Sequence, residues 1–259
     1  MMEKQEQISY EDNNYTHEAV NSLINNVDVN DVNSVDEAIT KLETDSFVNK
    51  IDANTINGFY KKVIGATNDV LSSKAVAILK KEAILRKFDN EHFKSLVYEI
   101  TDRWGSKTSL EMAKNLKIQA ILTKLDNVSF GAISNKVLEK WDANTMTEMA
   151  KNLKIESILS KLDRKTTEVA VNKVSDTWNF SAILELAKSL KSQTLLKKLD
   201  SDSLKSVVNK ILDKENEECT KEILVNKNLA NMLDDKTKSR LNSINSSADD
   251  YLARNMEVF

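Results

Sequence analysis

The stretch Leu116-Lys117-Ile118, with Ile121-Leu122-Thr123-Lys124-Leu125-Asp126 after it, returns as Leu153-Lys154-Ile155 and Ile158-Leu159-Ser160-Lys161-Leu162-Asp163. The displacement is 37 residues, and Trp104, Trp141 and Trp178 keep the same step. Carried backwards, the step lands on Asp89 in Ile84-Leu85-Arg86-Lys87-Phe88-Asp89 and on Asp52 in Phe47-Val48-Asn49-Lys50-Ile51-Asp52; carried forwards, it lands on Leu199-Asp200. Five units therefore begin at Asn30, Thr67, Trp104, Trp141 and Trp178, and a leucine column (Leu42, Leu79, Leu116, Leu153, Leu190) runs through all five. A fixed period of this length is the mark of a repeat architecture.

Each unit closes with a segment like 128–140, whose Phe130, Ile133, Val137 and Trp141 fall at helical spacings. In the first half, Met112, Ala113, Leu116 and Ala120 would share one face of a continuous helix and Ile118, Ile121, Leu122 and Leu125 the opposite one. That pattern fits either one long helix packed on both sides or two shorter helices broken near Lys117. The opposed faces favour the break, although Asn115, Asn152 and Ser189 are only modest stop signals and neither Gly nor Pro stands there. The chain has no proline and four glycines among 259 residues, which removes the turn chemistry that β-rich folds need. The recurring aspartates Asp52, Asp89, Asp126, Asp163 and Asp200 sit between the two halves, where a carboxylate caps the free N–H groups of the next helix. The lysine two residues before each suits the negative end of the preceding helix.

One unit cannot bury its apolar face alone, whereas stacked neighbours share a core. The expected fold is all-α: a right-handed α-solenoid of five 37-residue repeats with two or three helices each, plus helical caps. Residues 1–14 read as a disordered polar N-terminus and 15–29 as a half-repeat cap, since Ala19, Leu23 and Val27 precede Ile56, Tyr60 and Ile64 by one period. Residues 30–214 form the array, and 215–259 form a shortened sixth repeat with a C-terminal cap, Leu233-Asp234 following Leu199-Asp200 by 34. In general plan the chain resembles HEAT, armadillo and tetratricopeptide arrays through its unit length and recurring Leu and Asp positions. The resemblance implies architecture only, because the Pro-bearing tetratricopeptide and Thr-Pro-Leu-His ankyrin signatures are missing.

No cofactor or metal is expected. Cys219, His17 and His92 lie in separate units, and no Gly-rich phosphate loop is present. His92 shares its column with Thr55, Ser129, Thr166 and Ser203, in the first turn of the last helix, and Glu217 and Glu218 disfavour a thiolate at Cys219. The expected protein is not an enzyme. A single cysteine, no leader-like start and no long apolar run predict a cytoplasmic protein without a membrane span.

The candidate partner-binding residues are the lysine columns and their asparagines: Lys87, Lys117, Lys124, Lys136, Lys154, Lys161, Lys173, Lys191, Lys198, Lys210, Asn135, Asn172 and Asn209. Residues 104–214 carry 19 Lys and Arg against 13 Asp and Glu, a mild basic bias in a chain of net charge −3. A pI near 5.7 lies well below the usual footprint of a nucleic-acid binder. The function expected is a non-catalytic binding scaffold that recognises protein or peptide on the solenoid surface. The alternatives are a nucleic-acid-binding array using the lysine columns, and a spacer or self-assembly element docking through the apolar tail Tyr251, Leu252, Met256, Val258 and Phe259. The tryptophans read as interlayer core rather than as a stacking platform.

Overall fold

The computed structural model describes residues 15–66, 68–103, 105–140 and 142–244. The expectations for residues 1–14, for Trp104 and Trp141 and for the tail 248–259 lie outside these. The described residues are helical and contain no strand. The chain divides into two compact units, Met1–Ser129 and Phe130–Phe259.

The first unit opens with α1 (His17–Asn25). A longer helix, a short one and another longer one then follow as α2 (Val32–Leu42), α3 (Asp45–Asn49) and α4 (Ala53–Gly65), and again as α5 (Asp69–Ile78), α6 (Glu82–Leu85) and α7 (Asn90–Arg103). The succession starts once more with α8 (Ser106–Asn115), α9 (Gln119–Lys124) and α10 (Asn127–Leu138), within whose first turn the division falls. Helices of like rank lie side by side: α2 on α5 and α5 on α8, α1 on α4 and α4 on α7, α3 on α6 and α6 on α9. The second unit holds α11 (Ala143–Asn152), α12 (Glu156–Lys161), α13 (Arg164–Ser175), α14 (Phe180–Ser189), α15 (Gln193–Lys198), α16 (Ser201–Leu212), α17 (Glu217–Leu224) and α18 (Lys227–Met232), then a helical stretch over 235–244. There α11 packs on α14 and α14 on α17, while α13 meets α16 and α12 meets α15.

The chain does break between Asn115 and Gln119, with Ile118 in extended conformation at the N-cap of α9. The two opposed apolar faces turn into the same core: Met112, Ala113, Leu116, Ile121, Leu122 and Leu125 are all buried, as is the whole leucine column. The break needs neither Gly nor Pro because Asn115, only 2% exposed, turns its Nδ2 to the carbonyl of Val76 at 2.6 Å. Ser189 Oγ donates to Ala150 O at 2.9 Å and Asn226 Nδ2 to Leu190 O at 2.7 Å in the same way. Each of these residues therefore ties its break to the end of the corresponding helix one triplet earlier.

The aspartate column caps as expected. Backbone N–H groups of Thr55, His92, Ser129, Thr166 and Ser203 donate to Asp52, Asp89, Asp126, Asp163 and Asp200 at 2.6 to 2.7 Å. In the shortened sixth segment Thr237 N–H donates to Asp234 at 2.8 Å. A second capping column went unread in the sequence: Asp31, Asn68, Asp142, Asn179 and Asn216 cap the first helix of their segments, one period apart. Gly105 holds the remaining place and has no side chain to offer; Asp69, from α5, accepts the N–H groups of Lys107 and Thr108 at 3.1 Å instead. At the N-terminal flank, Val27 is buried as its register implies, but within α1 Val20 and Ile24 are buried while Ala19 is exposed and Leu23 half-buried, so the helix itself sits one residue away from that register.

Candidate binding surface

The lysine columns are largely engaged within the chain. Lys87 Nζ donates to Asn49 O at 3.1 Å, Lys124 to Phe88 O at 2.7 Å and Lys198 to Leu162 O at 2.6 Å, each closing the short helix of the preceding triplet. Lys154 pairs with Glu185 at 3.1 Å and Lys191 with Glu222 at 2.5 Å. Lys210 meets Asp176 at 2.7 Å and Asn172 Oδ1 at 3.3 Å. Lys117, Lys136 and Lys161 have contacts of their own within the chain, and Lys173 is half-buried.

The acids that meet Lys154 and Lys191 belong to a further periodic column, Glu111, Glu148, Glu185 and Glu222, which the lysine count alone hides. Burial works to raise the Glu185 carboxyl, but Lys154 and Lys188 beside it more than offset this and hold it below its ordinary value. Asn209 Oδ1 accepts from Arg240 at 3.3 Å. Asn135 Oδ1 is buried with no hydrogen-bond partner among the described residues. Lys87, Lys124, Lys154, Lys191, Lys198 and Lys210 thus tie successive triplets together within their compact unit.

A different place is open. Trp178 was expected in the core, yet it is 87% exposed. It stands in the turn between α13 and α14, where Thr177 takes the buried place and its hydroxyl donates to Val174 O at 3.0 Å. Asn179 fixes the turn by donating its Nδ2 to Ala143 O at 2.5 Å and to Thr147 Oγ1 at 3.0 Å, while its Oδ1 caps Ser181. Phe180, the first residue of α14, is 44% exposed beside it. Lys214 Nζ lies 3.8 Å from the centre of the indole, a cation on a π face. Two openings share Trp178 and Phe180. One, of about 520 Å³, is lined also by Ala143, Met146, Asp176, Thr177 and Asn179; the other, of about 140 Å³, by Ile183, Lys214 and Asn216. The missed signal was the pair Trp178 and Phe180, two large apolar residues flanking a capping asparagine.

His92 sits in the first turn of α7 with Nδ1 2.6 Å from Asp89 Oδ2, and His17 Nδ1 lies 2.7 Å from Lys50 O. Cys219 is buried, and desolvation, with Glu218 beside it, pushes its thiol up to about 11. Among the described residues no cluster of His, Cys, Asp and Glu could hold a metal ion, and no helix is long and apolar enough to cross a membrane. No known protein family, no curated protein and no solved structure matches the chain.

Proposed function

We propose that the chain is a right-handed α-solenoid of five 37-residue repeats of three helices over 30–214, capped by 15–29 and 215–259, and that it acts as a non-catalytic scaffold recognising protein or peptide. The recurrence of the helix triplet and its capping residues supports the architecture. The observation that carries the function is Trp178, 87% exposed beside Phe180. Exposed aromatic patches on folded domains mark interaction sites, and Trp is among the residues most enriched where binding energy concentrates. Affinity capture with the full chain, run in parallel with Trp178→Ala, tests the reading. Partners retained by the parent chain and lost from the variant support it; identical sets from both count against it.

The lysine columns serve the nucleic-acid alternative poorly. Lys154, Lys191 and Lys210 are neutralised by Glu185, Glu222 and Asp176, and a field so compensated gives little counterion release. Retardation of single-stranded RNA or DNA at low salt, lost on Lys→Glu substitution at Lys117, Lys136 and Lys173, would favour that alternative over the scaffold.

A further inference from the structure

The Trp178 openings bring an exposed aromatic pair together with one cation. In the same compact unit Lys154, Lys188, Lys191, Lys205 and Lys210 each lie within 4 Å of a carboxylate. Lys214 meets only the indole: among the described residues no carboxylate pairs with it. Its ammonium is therefore held over a flat apolar ring rather than in an ion pair.

The polar groups around the openings are already engaged. Asn179 has its amide hydrogens on Ala143 and Thr147 and its oxygen on Ser181, Asn216 Oδ1 caps Cys219 at 3.1 Å, and Asp176 is paired with Lys210. The rest of the lining is apolar apart from one cation: Trp178, Phe180 and Ala143 are exposed, with Met146 and Ile183 buried beneath them. Reading a base edge or a sugar needs convergent free donors and acceptors, and these openings do not present them. The smaller opening, about 140 Å³ between Trp178, Phe180 and Ile183 with Lys214 at its wall, suits one bulky side chain.

Resting on the peptide-scaffold reading and deepening it, we infer that the Trp178 cleft binds an extended peptide carrying a bulky apolar residue next to an acidic one. The apolar side chain enters between Trp178 and Phe180, and its acidic neighbour meets the ammonium of Lys214. The larger opening on the Met146 side receives the following residues of the peptide. Desolvating the anchor between two aromatic walls supplies affinity, and Lys214, the one cation among the described lining residues, supplies the charge preference.

Selection of a phage-displayed random dodecapeptide library on the full chain tests this, followed by fluorescence anisotropy of the enriched peptides. Enriched sequences are expected to place Asp or Glu beside Leu, Ile, Phe or Trp. Trp178→Ala should weaken them about thirtyfold, the scale of an aromatic anchor. Lys214→Glu, selected afresh, should enrich Lys or Arg in the acidic position. Both positions lie at the surface, and matched circular-dichroism melts confirm that the variants fold. Peptides that bind the parent and Trp178→Ala alike would overturn this site while leaving the scaffold reading standing. No enriched peptide at all would overturn both. Oligothymidylate binding that depends on Trp178, without peptide binding, would assign the cleft to bases and end the proposal.

Discussion

Gly105 owes its place to a carboxylate 36 residues away. A Cβ there would come within 2.6 Å of Asp69 Oδ2, the atom that accepts from Lys107 N–H, so glycine leaves room for a cap supplied from the neighbouring helix. Asp69 also accepts from the Thr108 hydroxyl at 2.7 Å, so its loss removes the whole cap of α8. Asp69→Ala should lower stability by about 1 kcal/mol, the usual cost of a lost helix cap. Gly105→Ala should cost a similar amount by displacing that carboxylate. The two together should cost clearly less than their sum, because the second change has nothing left to displace. Urea unfolding of the four chains measures the cycle, and simple additivity would show that the cap acts otherwise. Residue-scale chemistry of this kind leaves a trace in the sequence, a glycine in a column of Asp and Asn, but the trace does not say which carboxylate replaces the missing one.

At the scale of the element, the caps give acid sensitivity with a defined sign. The Ser129 backbone N–H, the Ser129 hydroxyl and Lys94 hold the Asp126 carboxyl down at about 2, against an ordinary 3.8. Backbone N–H groups likewise lower Asp89, Asp163, Asp200 and Asp234. A carboxyl lowered in the folded state stabilises it fully above its unfolded value, and that contribution disappears as pH falls toward the folded one. Stability should therefore begin to fall below about pH 4 and keep falling to about pH 2, with protons taken up on unfolding. Asp126→Asn keeps a capping oxygen and loses the titration, so its stability should change less with pH over that window. Thermal melts across the window check both, and an unchanged slope in the variant would contradict the assignment. The helix break is an element-scale feature too. Asn115→Ala should cost about 1 kcal/mol by removing the bond its amide donates to the Val76 carbonyl, which the Leu79 N–H also meets, and a loss within the error of a urea melt would mean that another group holds the break.

At the scale of the molecule, lysines within each compact unit join one triplet to the next. Lys124 and Lys198 donate to neutral carbonyls, whereas Lys154 meets the Glu185 carboxylate. The two kinds should separate by ionic strength. Lys124→Met should lower the urea midpoint by an amount nearly independent of salt, and the cost of Lys154→Met should shrink as salt screens the exposed pair. Equal salt dependence in the two variants would contradict the distinction. The same engagement is why a lysine count overstates the surface charge offered to a partner; Lys214 is distinguished by the exposed indole it lies on.

The sequence by itself determined the helical class, the 37-residue step, the capping aspartates and the leucine column. Backbone hydrogen bonding and the burial of one helical face are local rules, and they repeat visibly when the chain repeats. Tertiary structure alone decided which carbonyl each lysine meets, that Asp69 caps a helix it does not begin, and that Trp178 faces outward while Thr177 takes the buried place. Those outcomes depend on where the neighbouring triplet sets its carbonyls and its free volume. Periodicity aligns the residues of successive triplets but does not fix the rotation of a turn, and a rotation of one position exchanges a buried side chain for an exposed one.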